Sequence, residues 1–439
     1  MKKSYCILFA ICFIFNQYNY AQVNGRKCAS PKVNASYEAA FQNMLQKHQQ
    51  FANNKQAVTV YNIPVIFHII HSGQNVGTSI NISQAQVNSQ VTILNQDFRK
   101  INADFSTWAT QPSFINAAAD CEINFCLAKV SPTGTELTEP GIERISCSSK
   151  GWTNPPHTDA YIDATIKPGS SWDPTRYLNI WVVYMNDGTL GYAQFPTIAN
   201  PSVPVVGDMF GFGSAANTDG IVLDYSAIGN TGTANFPYDK GRTATHEIGH
   251  WLGLWHINGD SNCGNDYVTD TPAQSSLSSS CPSSSGAVVN SGCTSVSPNP
   301  PGRMYQNYMD YSPDRCLVLF TAGQKARMQA VMANCMRRNS LNTSTVCDAV
   351  GIEEYVSILN VNISPNPSNG ELFVEVSLSD VQDYIISVIN TLGQTVKEAK
   401  QLQSNGGKIK FDLSDKTAGV YFVSVKTKSG SKVKRIVLQ

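Results

Sequence analysis

This 439-residue chain has no excess of charge of either sign. Lysine and arginine together number 32, aspartate and glutamate also number 32, and charged residues make up only 15% of the sequence. Proteins that attract nucleic acid or anionic membranes need an extended field of one sign. The sequence therefore predicts no nucleic-acid partner and no electrostatic attraction to a lipid surface.

Long apolar runs are missing after the first few residues. Lys2 and Lys3 precede an apolar stretch from Tyr5 to Phe15, and Ala21-Gln22 is a plausible cleavage point, so residues 1–21 are predicted to be a signal peptide. The alternative is a membrane anchor, but a spanning helix needs about 20 apolar residues. This stretch is interrupted by Asn16, Gln17 and Asn19. We expect a protein without a transmembrane segment, secreted to the extracellular space or the cell surface.

Cysteine is absent from Val356 to Gln439, although the chain has twelve. In this region short alternating strands, such as Leu372 to Val376 and Val420 to Thr427, are separated by turn residues, which is typical of a small β-sandwich. Residues 349–357 are predicted to be a linker and residues 358–439 a separate all-β domain. Cys6 and Cys12 leave with the signal, and the other cysteines can form disulfides in an exported chain.

Residues 22–57 are predicted to be a pro-segment that contains one amphipathic helix. The apolar residues that recur there at near-helical spacing are Tyr37, Phe41, Met44 and Phe51. The alternative is a short structural helix at the N-terminus.

Residues 58–348 mix strands with long helices, which predicts an α+β domain. Buried strands are expected at Val58 to His71, Leu178 to Tyr184 and Gly220 to Tyr225. One helix is expected to begin at Ser83, with Gln86 as its capping-box partner. Another is expected from Phe320 to Met336.

The segment from His246 to His256 has the spacing of a catalytic zinc site in metzincins. Residues four apart on a helix share a face, so His246 and His250 can point their imidazoles at one ion. Gly253 can take a positive φ that ends the helix and turns the chain back, which brings in His256 as the third ligand. Three protein ligands leave a fourth position open for water. Only seven histidines occur in the chain, so chance placement is a poor alternative.

Glu247 is the predicted general base. It lies about 100° around the helix axis from His246, so it can reach a zinc-bound water without binding the zinc. Zinc lowers the pKa of that water towards about 7, and Glu247 takes the proton and later passes it to the leaving amine. The predicted function is a zinc-dependent endopeptidase acting on protein or peptide substrates.

Two other functions remain as alternatives. One is a surface adhesin or binding module on the same scaffold, but a pure binder has no use for Glu247. The other is a zinc amidase acting on cell-wall peptides, which the third histidine of the extended motif disfavours.

Downstream, Asn307-Tyr308-Met309-Asp310-Tyr311 resembles the Met-turn of metzincins. Met309 is predicted to form an apolar floor beneath the zinc. Tyr311 is predicted to donate its hydroxyl to the oxyanion of the transition state. The alternative for Met309 is an ordinary core residue.

These motifs resemble the pappalysin family of metzincins, especially its cytophagalysin-like branch. The similar region spans Val58 to Cys347 and includes Ile63-Pro64-Val65-Ile66-Phe67-His68, Leu94-Asn95-Gln96-Asp97-Phe98-Arg99, Leu178-Asn179-Ile180-Trp181 and Gly191-Tyr192-Ala193. The resemblance implies a metzincin-type catalytic domain, with a twisted sheet and helices above the cleft and an irregular lower subdomain.

The resemblance also implies two disulfides, Cys263–Cys293 and Cys281–Cys316, and Cys335–Cys347 is a plausible third pair. It implies in addition a calcium loop in which Asp266 and Asp270 would supply carboxylates, with a solvated acidic loop as the alternative.

One position departs from the family pattern. In relatives that cut before Lys or Arg, an acidic residue stands just before the cysteine numbered 316 here. This chain has Arg315 there and Asp314 one position earlier. The sequence therefore does not predict a preference for basic P1′ residues.

The C-terminal domain resembles the sorting domain of type IX secretion. The motifs that carry this resemblance are Ile363-Ser364-Pro365-Asn366-Pro367, Leu392-Gly393-Gln394 and Ala418-Gly419-Val420-Tyr421. The resemblance implies outer-membrane secretion machinery as a partner. A carbohydrate- or surface-binding β-module is the alternative.

Cys28 is predicted to keep the enzyme latent. A thiolate is a strong zinc ligand, and the adjacent Arg26 and Lys27 favour the thiolate. At the open fourth position Cys28 would displace the catalytic water until the pro-segment is cut away. The alternative is a disulfide, because three cysteines are left over once the pairs above have formed: Cys121, Cys126 and Cys147.

Overall fold

The computed structural model describes residues 26–30, 35–52, 60–108, 112–197, 215–282, 288–293, 302–348, 359–391, 393–427 and 430–439. The predicted signal peptide and linker lie outside these ranges. The chain divides into two compact units, one of Met1–Ala128 with Leu137–Cys347 and one of Lys129–Glu136 with Asp348–Gln439. Within the ranges just given, none of the helices has both the length and the apolar character needed to span a bilayer.

The first unit contains all the α-helices among the described residues. They are α1 (Ala35–Ala52), α2 (Gln84–Phe98), α3 (Phe105–Trp108), α4 (Pro112–Ala117), α5 (Cys147–Lys150), α6 (Asp159–Tyr161), α7 (Lys167–Ser170), α8 (Arg242–Trp251), α9 (Ala322–Asn334) and α10 (Met336–Asn339). Its strands are β1 (Tyr61–His71), β2 (Ile123–Leu127), β3 (Ile142–Ser146), β4 (Leu178–Val183), β5 (Gly191–Ala193) and β6 (Gly220–Asp224).

These six strands form one mixed sheet in the order β2-β1-β4-β6-β5, with β3 also paired to β1. The β1, β2, β3, β4 and β6 pairings are parallel, whereas β5 runs antiparallel to β6 at the edge. Strand β4 is buried along its whole length, which accounts for its unbroken apolar sequence. The core of the unit lies between this sheet and helices α2 and α8. Edge strand β5 lies beside α8.

The predicted elements are present with small shifts at their ends. The strand expected at Val58 to His71 is Tyr61–His71, and the closing helix is Ala322–Asn334. Ser83 caps α2 by accepting the backbone N–H of Gln86. The capping-box role of the Gln86 side chain was wrong, because its Oε1 atom accepts instead from the backbone N–H of Thr233 at 3.2 Å.

The second unit is all-β, as predicted. Its strands are β7 (Leu359–Ser364), β8 (Glu371–Asn390), β9 (Thr395–Asp412), β10 (Gly419–Thr427) and β11 (Gly430–Leu438). They form one antiparallel sheet, in which β8 pairs with β7 near its start and with β10 near its end, while β9 follows it along both parts. Side chains from both parts of β8 share one apolar core.

Three disulfides join cysteines among the described residues of the first unit, and they correct one expected pair. Cys263–Cys293 and Cys281–Cys316 are present, as the resemblance implied. The Cys335–Cys347 pair was wrong, because Cys347 is bonded to Cys126, which is 221 positions away. Cys335 is buried instead, with its sulfur 3.9 Å from Met44 of α1. Cys28, Cys121 and Cys147 also have free thiols, so Cys28 is not in a disulfide.

Candidate metal centre and active site

Helix α8 and the turn after it bring three histidine side chains together. His246 and His250 lie one turn apart on α8, and the chain reverses at Gly253, which has a φ of +87°. His256 then approaches from the new direction. The Nε2 atom of His250 is 3.2 Å from that of His246 and 3.1 Å from that of His256. All three side chains are buried.

The other ring nitrogen of each histidine is held by an acceptor. The Nδ1 atom of His246 donates to the carbonyl of Tyr308 at 2.6 Å, and that of His250 to the carbonyl of Leu254 at 2.7 Å. The Nδ1 atom of His256 bonds the carboxylate of Asp260. A carbonyl can only accept, so the proton is on Nδ1 and the Nε2 lone pairs face one another. Burial, reinforced by the neighbouring imidazole of His256, lowers the pKa of His250 to about 3.

This donor set fits a zinc ion. Three imidazole nitrogens whose lone pairs converge repel one another unless a cation lies among them. Imidazole is a preferred zinc ligand, and outer hydrogen bonds of the kind made by Tyr308, Leu254 and Asp260 orient such ligands. Asp260 had not been identified from the sequence. Its position four residues after His256 was the only available signal.

Glu247 projects from α8 towards edge strand β5. Its side chain is 1% exposed, and Gly191 leaves room for it, because a Cβ at Gly191 would lie 2.9 Å from the Glu247 Cγ. The Oε2 atom accepts a hydrogen bond from the Ser30 hydroxyl at 3.1 Å and a weaker one from the Cys28 thiol at 3.4 Å. Burial raises the pKa of Glu247 to about 7, although these two hydrogen bonds act in the opposite direction.

Residues 26–30 run alongside β5 and are joined to it by one parallel bridge. Cys28 pairs in parallel with Gly191, the N–H of Leu190 donates to the Lys27 carbonyl at 2.9 Å, and that of Ala29 donates to the Gly191 carbonyl at 3.1 Å. The Cys28 sulfur and one ring nitrogen from each of the three histidines lie within 4.8 Å of one another. This segment therefore occupies both the edge of the sheet and the space in front of the histidines.

Arg26, at the start of this segment, lies in a buried acidic pocket. Its guanidinium bonds Asp314 at 2.5 Å and the Thr243 hydroxyl at 2.8 Å, and neither side chain of the Arg26–Asp314 pair is exposed to solvent. The ring of Tyr238 lies 5.0 Å from the guanidinium carbon. Two backbone N–H groups, from Lys240 and Arg242, also donate to the Asp314 carboxylate.

The Met-turn lies below α8. Met309 is fully buried, and a Cβ at Gly249 would collide with its sulfur. The Tyr311 ring lies 5.0 Å from that of His256, and its hydroxyl is 3.5 Å from the Cys28 carbonyl. Burial, together with the nearby Cys28 and Glu247, raises the pKa of Tyr311, so the phenol keeps its proton and can donate it in a hydrogen bond.

The two aspartates of the expected calcium loop are engaged by protein donors. Both oxygens of Asp266 accept from the Thr271 hydroxyl, at 3.0 and 2.8 Å. Asp270 accepts from the Thr321 hydroxyl at 2.7 Å and from the N–H of Gly323 at 2.8 Å. Burial raises the pKa of Asp266 to about 7. Over the described part of the chain, the one cluster of three or more candidate metal-binding side chains is that of Cys28 with the three histidines.

Comparison with known proteins assigns both units. Residues 161–333 match the family model described as pregnancy-associated plasma protein-A, and residues 362–439 match that of the secretion system C-terminal sorting domain. An extracellular metalloprotease of Verticillium alfalfae is 30% identical over 281 residues, which are 64% of this chain and 78% of that protein.

Two solved structures from Tannerella forsythia resemble the first unit. Mature mirolysin in complex with a cleaved peptide is 36% identical, with a TM-score of 0.55 over 67% of this chain and 100% of that chain. A promirolysin mutant is 34% identical, with a TM-score of 0.57 over 74% of this chain and 100% of that chain.

The fold and the histidine cluster thus define a metalloendopeptidase with a metzincin-type catalytic unit. The chain belongs to the pregnancy-associated plasma protein-A family, the pappalysins, and carries a C-terminal sorting domain. The predictions of a metalloendopeptidase, of this fold class, and of secretion to the medium or the cell surface are confirmed.

Proposed function

We propose that the protein is a zinc-dependent endopeptidase, with His246, His250 and His256 as ligands and Glu247 as general base. The observation that carries this proposal is the convergence of three Nε2 atoms whose Nδ1 atoms are all held by acceptors. Glu247 lies beside them, at an edge strand along which an extended peptide can bind.

The chain's own residues supply the proton transfers. Bound zinc would supply Lewis acidity, which acidifies water and polarises the scissile carbonyl. Glu247 takes a proton from the attacking water and delivers it to the leaving amine nitrogen, which completes hydrolysis. Its carboxylate is suited to this because burial brings its pKa to about 7, close to that of a zinc-bound water. The Tyr311 hydroxyl donates to the developing oxyanion.

The test of this mechanism is Glu247→Ala. The variant should keep about one zinc per chain, because all three ligands remain, but peptide hydrolysis should fall by about 10²–10⁴-fold or more. Zinc content is measured by elemental analysis of the purified protein. Near-normal hydrolysis in the variant would contradict the assignment of the base.

Latency is proposed to rest on residues 26–30. The Cys28 sulfur lies among the three histidines, and Cys28 and Ser30 both donate to the general base. This segment also lies along the edge of β5, so substrate and pro-segment compete for one surface. Cys28→Ala in the unprocessed chain should raise activity, and an unchanged, low activity would show that the thiol does not hold the enzyme latent.

A preference for basic P1′ residues is proposed from the pocket that holds Arg26. A guanidinium fits there against Asp314, Thr243 and Tyr238. In relatives that cut before Lys or Arg, an acidic residue stands at the position of Arg315. In this chain Asp314 can supply that carboxylate instead. Peptide-library profiling of the processed enzyme should show Arg or Lys after the cleaved bond, and Asp314→Asn should weaken that preference while retaining cleavage of other bonds.

The remaining assignments are also proposals. Residues 22–57 would be the pro-segment, and residues 358–439 an export domain that is recognised by outer-membrane machinery and dispensable for catalysis. Expression of residues 22–350 alone, followed by activation and assay, tests this.

Calcium at Asp266 and Asp270 stays a prediction. Both carboxylates bind protein donors, so their present arrangement does not fit a cation, and calcium titration against melting temperature is the check.

A further inference from the structure

The two described parts of the predicted pro-segment contact different residues. Residues 26–30 contact β5, Glu247 and the pocket of Asp314. Helix α1 instead packs on α9 and on the turn that carries the third histidine. Its Phe41 ring lies against Gly253, where a Cβ would come within 2.7 Å of the ring. Glu247 and Asp314 instead take hydrogen bonds from residues 26–30.

A buried ion pair anchors α1. The Glu38 carboxylate accepts two hydrogen bonds from the Arg327 guanidinium, at 2.6 and 3.0 Å, and one from the Trp255 indole at 2.9 Å. Both charged side chains are almost inaccessible, with exposures of 2% for Glu38 and 1% for Arg327. The guanidinium also donates to the Gly253 carbonyl at 3.0 Å and lies 4.0 Å from the centre of the Phe41 ring.

Departure of α1 would undo all of these contacts at once. Arg327 would lose its carboxylate and the face of Phe41, and the Trp255 indole would lose its acceptor. Leaving one member of a buried ion pair without its partner is strongly unfavourable. Release of residues 26–30 would leave these contacts in place, because the hydrogen bonds described above for Glu38, Arg327 and Trp255 are not made with that segment.

We propose that α1 is a docking helix that stays bound to the catalytic unit, through Glu38, after residues 26–30 have been released and the chain has been cut before β1. Its site consists of Arg327, Trp255 and Gly253, and its partner is an amphipathic helix that presents a carboxylate. Loss of latency and loss of the pro-segment are then separate events. The inference rests on the proposed function only in taking residues 26–30 as the inhibitory part.

The experiment uses the full chain with Glu247→Ala and with a site-specific protease sequence inserted between Ala52 and Tyr61. After cutting, size-exclusion chromatography and mass spectrometry measure how much N-terminal fragment stays bound. Arg26→Ala and Cys28→Ser are added to remove the ion pair with Asp314 and the thiol, and in this background the fragment should remain bound. Glu38→Gln in the same background should make release about a hundred-fold faster.

Lys47→Gln is the matched control, because it removes one charge from an exposed position of the same helix. In the background with Arg26→Ala and Cys28→Ser it should retain the fragment. Trp255→Phe, which removes only the indole donor, gives a second measure if Glu38→Gln does not fold, and it should speed release several-fold. Immediate release with Arg26→Ala and Cys28→Ser alone overturns the proposal, as does equal retention in the Glu38 or Trp255 variants and the Lys47 control. Failure of the zinc peptidase assignment would appear in hydrolysis assays, which this binding measurement does not use.

Discussion

The two units of the chain differ in how far their ion pairs are buried. The catalytic unit buries ion pairs in its interior, including Arg26–Asp314, Glu38–Arg327 and Asp219–Arg338, with exposures of 2% or less on both sides. In the C-terminal unit, the pairs Lys397–Asp415, Lys410–Glu371 and Lys416–Asp415 each have a carboxylate that is more than half exposed. Its core is made of aliphatic and aromatic side chains.

This difference reflects what each unit must hold in place. A catalytic site needs polar groups at fixed positions away from water, and each buried charge must then have a partner. A domain that serves as a recognition signal needs only a stable surface, which a backbone ladder and an apolar core provide. We therefore expect polar substitutions to have large effects in the catalytic unit, whereas apolar truncations should have large effects in both.

Removal of zinc is expected to give the largest difference between the units. A chelator should abolish peptidase activity and lower the melting temperature of the catalytic unit, because an ion present at about a thousand times its dissociation constant contributes about 4 kcal/mol. Differential scanning calorimetry should show no shift in the transition of the C-terminal unit, and added zinc should restore both activity and stability. A shift in both transitions would show that the units do not unfold independently.

Loss of the buried carboxylate of Asp219 should be nearly as costly. It accepts hydrogen bonds from Arg337, Arg338 and the Trp251 indole, so Asp219→Ala should destabilise the catalytic unit by about 3–5 kcal/mol. Chemical denaturation measures the difference. A decrease in the free energy of unfolding of less than about 1 kcal/mol would contradict the view that buried ion pairs stabilise this unit.

The Asp219 effect should also depend on pH. Burial raises the pKa of this carboxyl, but the two guanidiniums outweigh burial and hold it below its ordinary value. A depressed carboxyl pKa stabilises the native state above the unfolded value of about 3.9, and that contribution is lost as pH falls towards the lower, folded value. The difference in the free energy of unfolding between the wild type and Asp219→Asn should therefore become smaller below about pH 4.

An apolar truncation in the C-terminal unit should have a comparable but separate effect. Ile386 is fully buried in the core of that unit, and Ile386→Ala should cost about 2–5 kcal/mol there. Export should fall, whereas the hydrolysis rate of the activated enzyme should not change. Secreted and cell-retained protein can be compared by immunoblot. Reduced activity per molecule would show that the C-terminal unit contributes to the site.

The smallest effect is expected for the exposed pair of Lys410 and Glu371. Their atoms lie 2.6 Å apart, but the side chains are 50% and 61% exposed, and such pairs contribute at most about 1 kcal/mol. Lys410→Ala should therefore shift the melting temperature of the C-terminal unit very little, and less in high salt. A larger loss would mean that this unit also depends on charge.

Local patterns in the sequence were enough to predict the elements that carry the chemistry. The spacing of His246, His250 and Gly253 depends only on helical periodicity and on one residue that tolerates a positive φ, so it could be interpreted without tertiary information. The strands at Leu178 and Gly220 were also found, because buried parallel strands are continuous apolar runs. The Cys335–Cys347 prediction failed because proximity along the chain does not determine which sulfurs meet in space.

Sequence by itself thus determined the class of enzyme, its export and its all-β C-terminal domain, since each depends on a short motif or a local period. Tertiary structure decided which distant groups meet: Cys126 with Cys347, Arg26 with Asp314, and Glu38 with Arg327. These partners are separated by more than two hundred positions. No local period links them, and only the packing of the folded chain brings a buried charge or thiol to its partner.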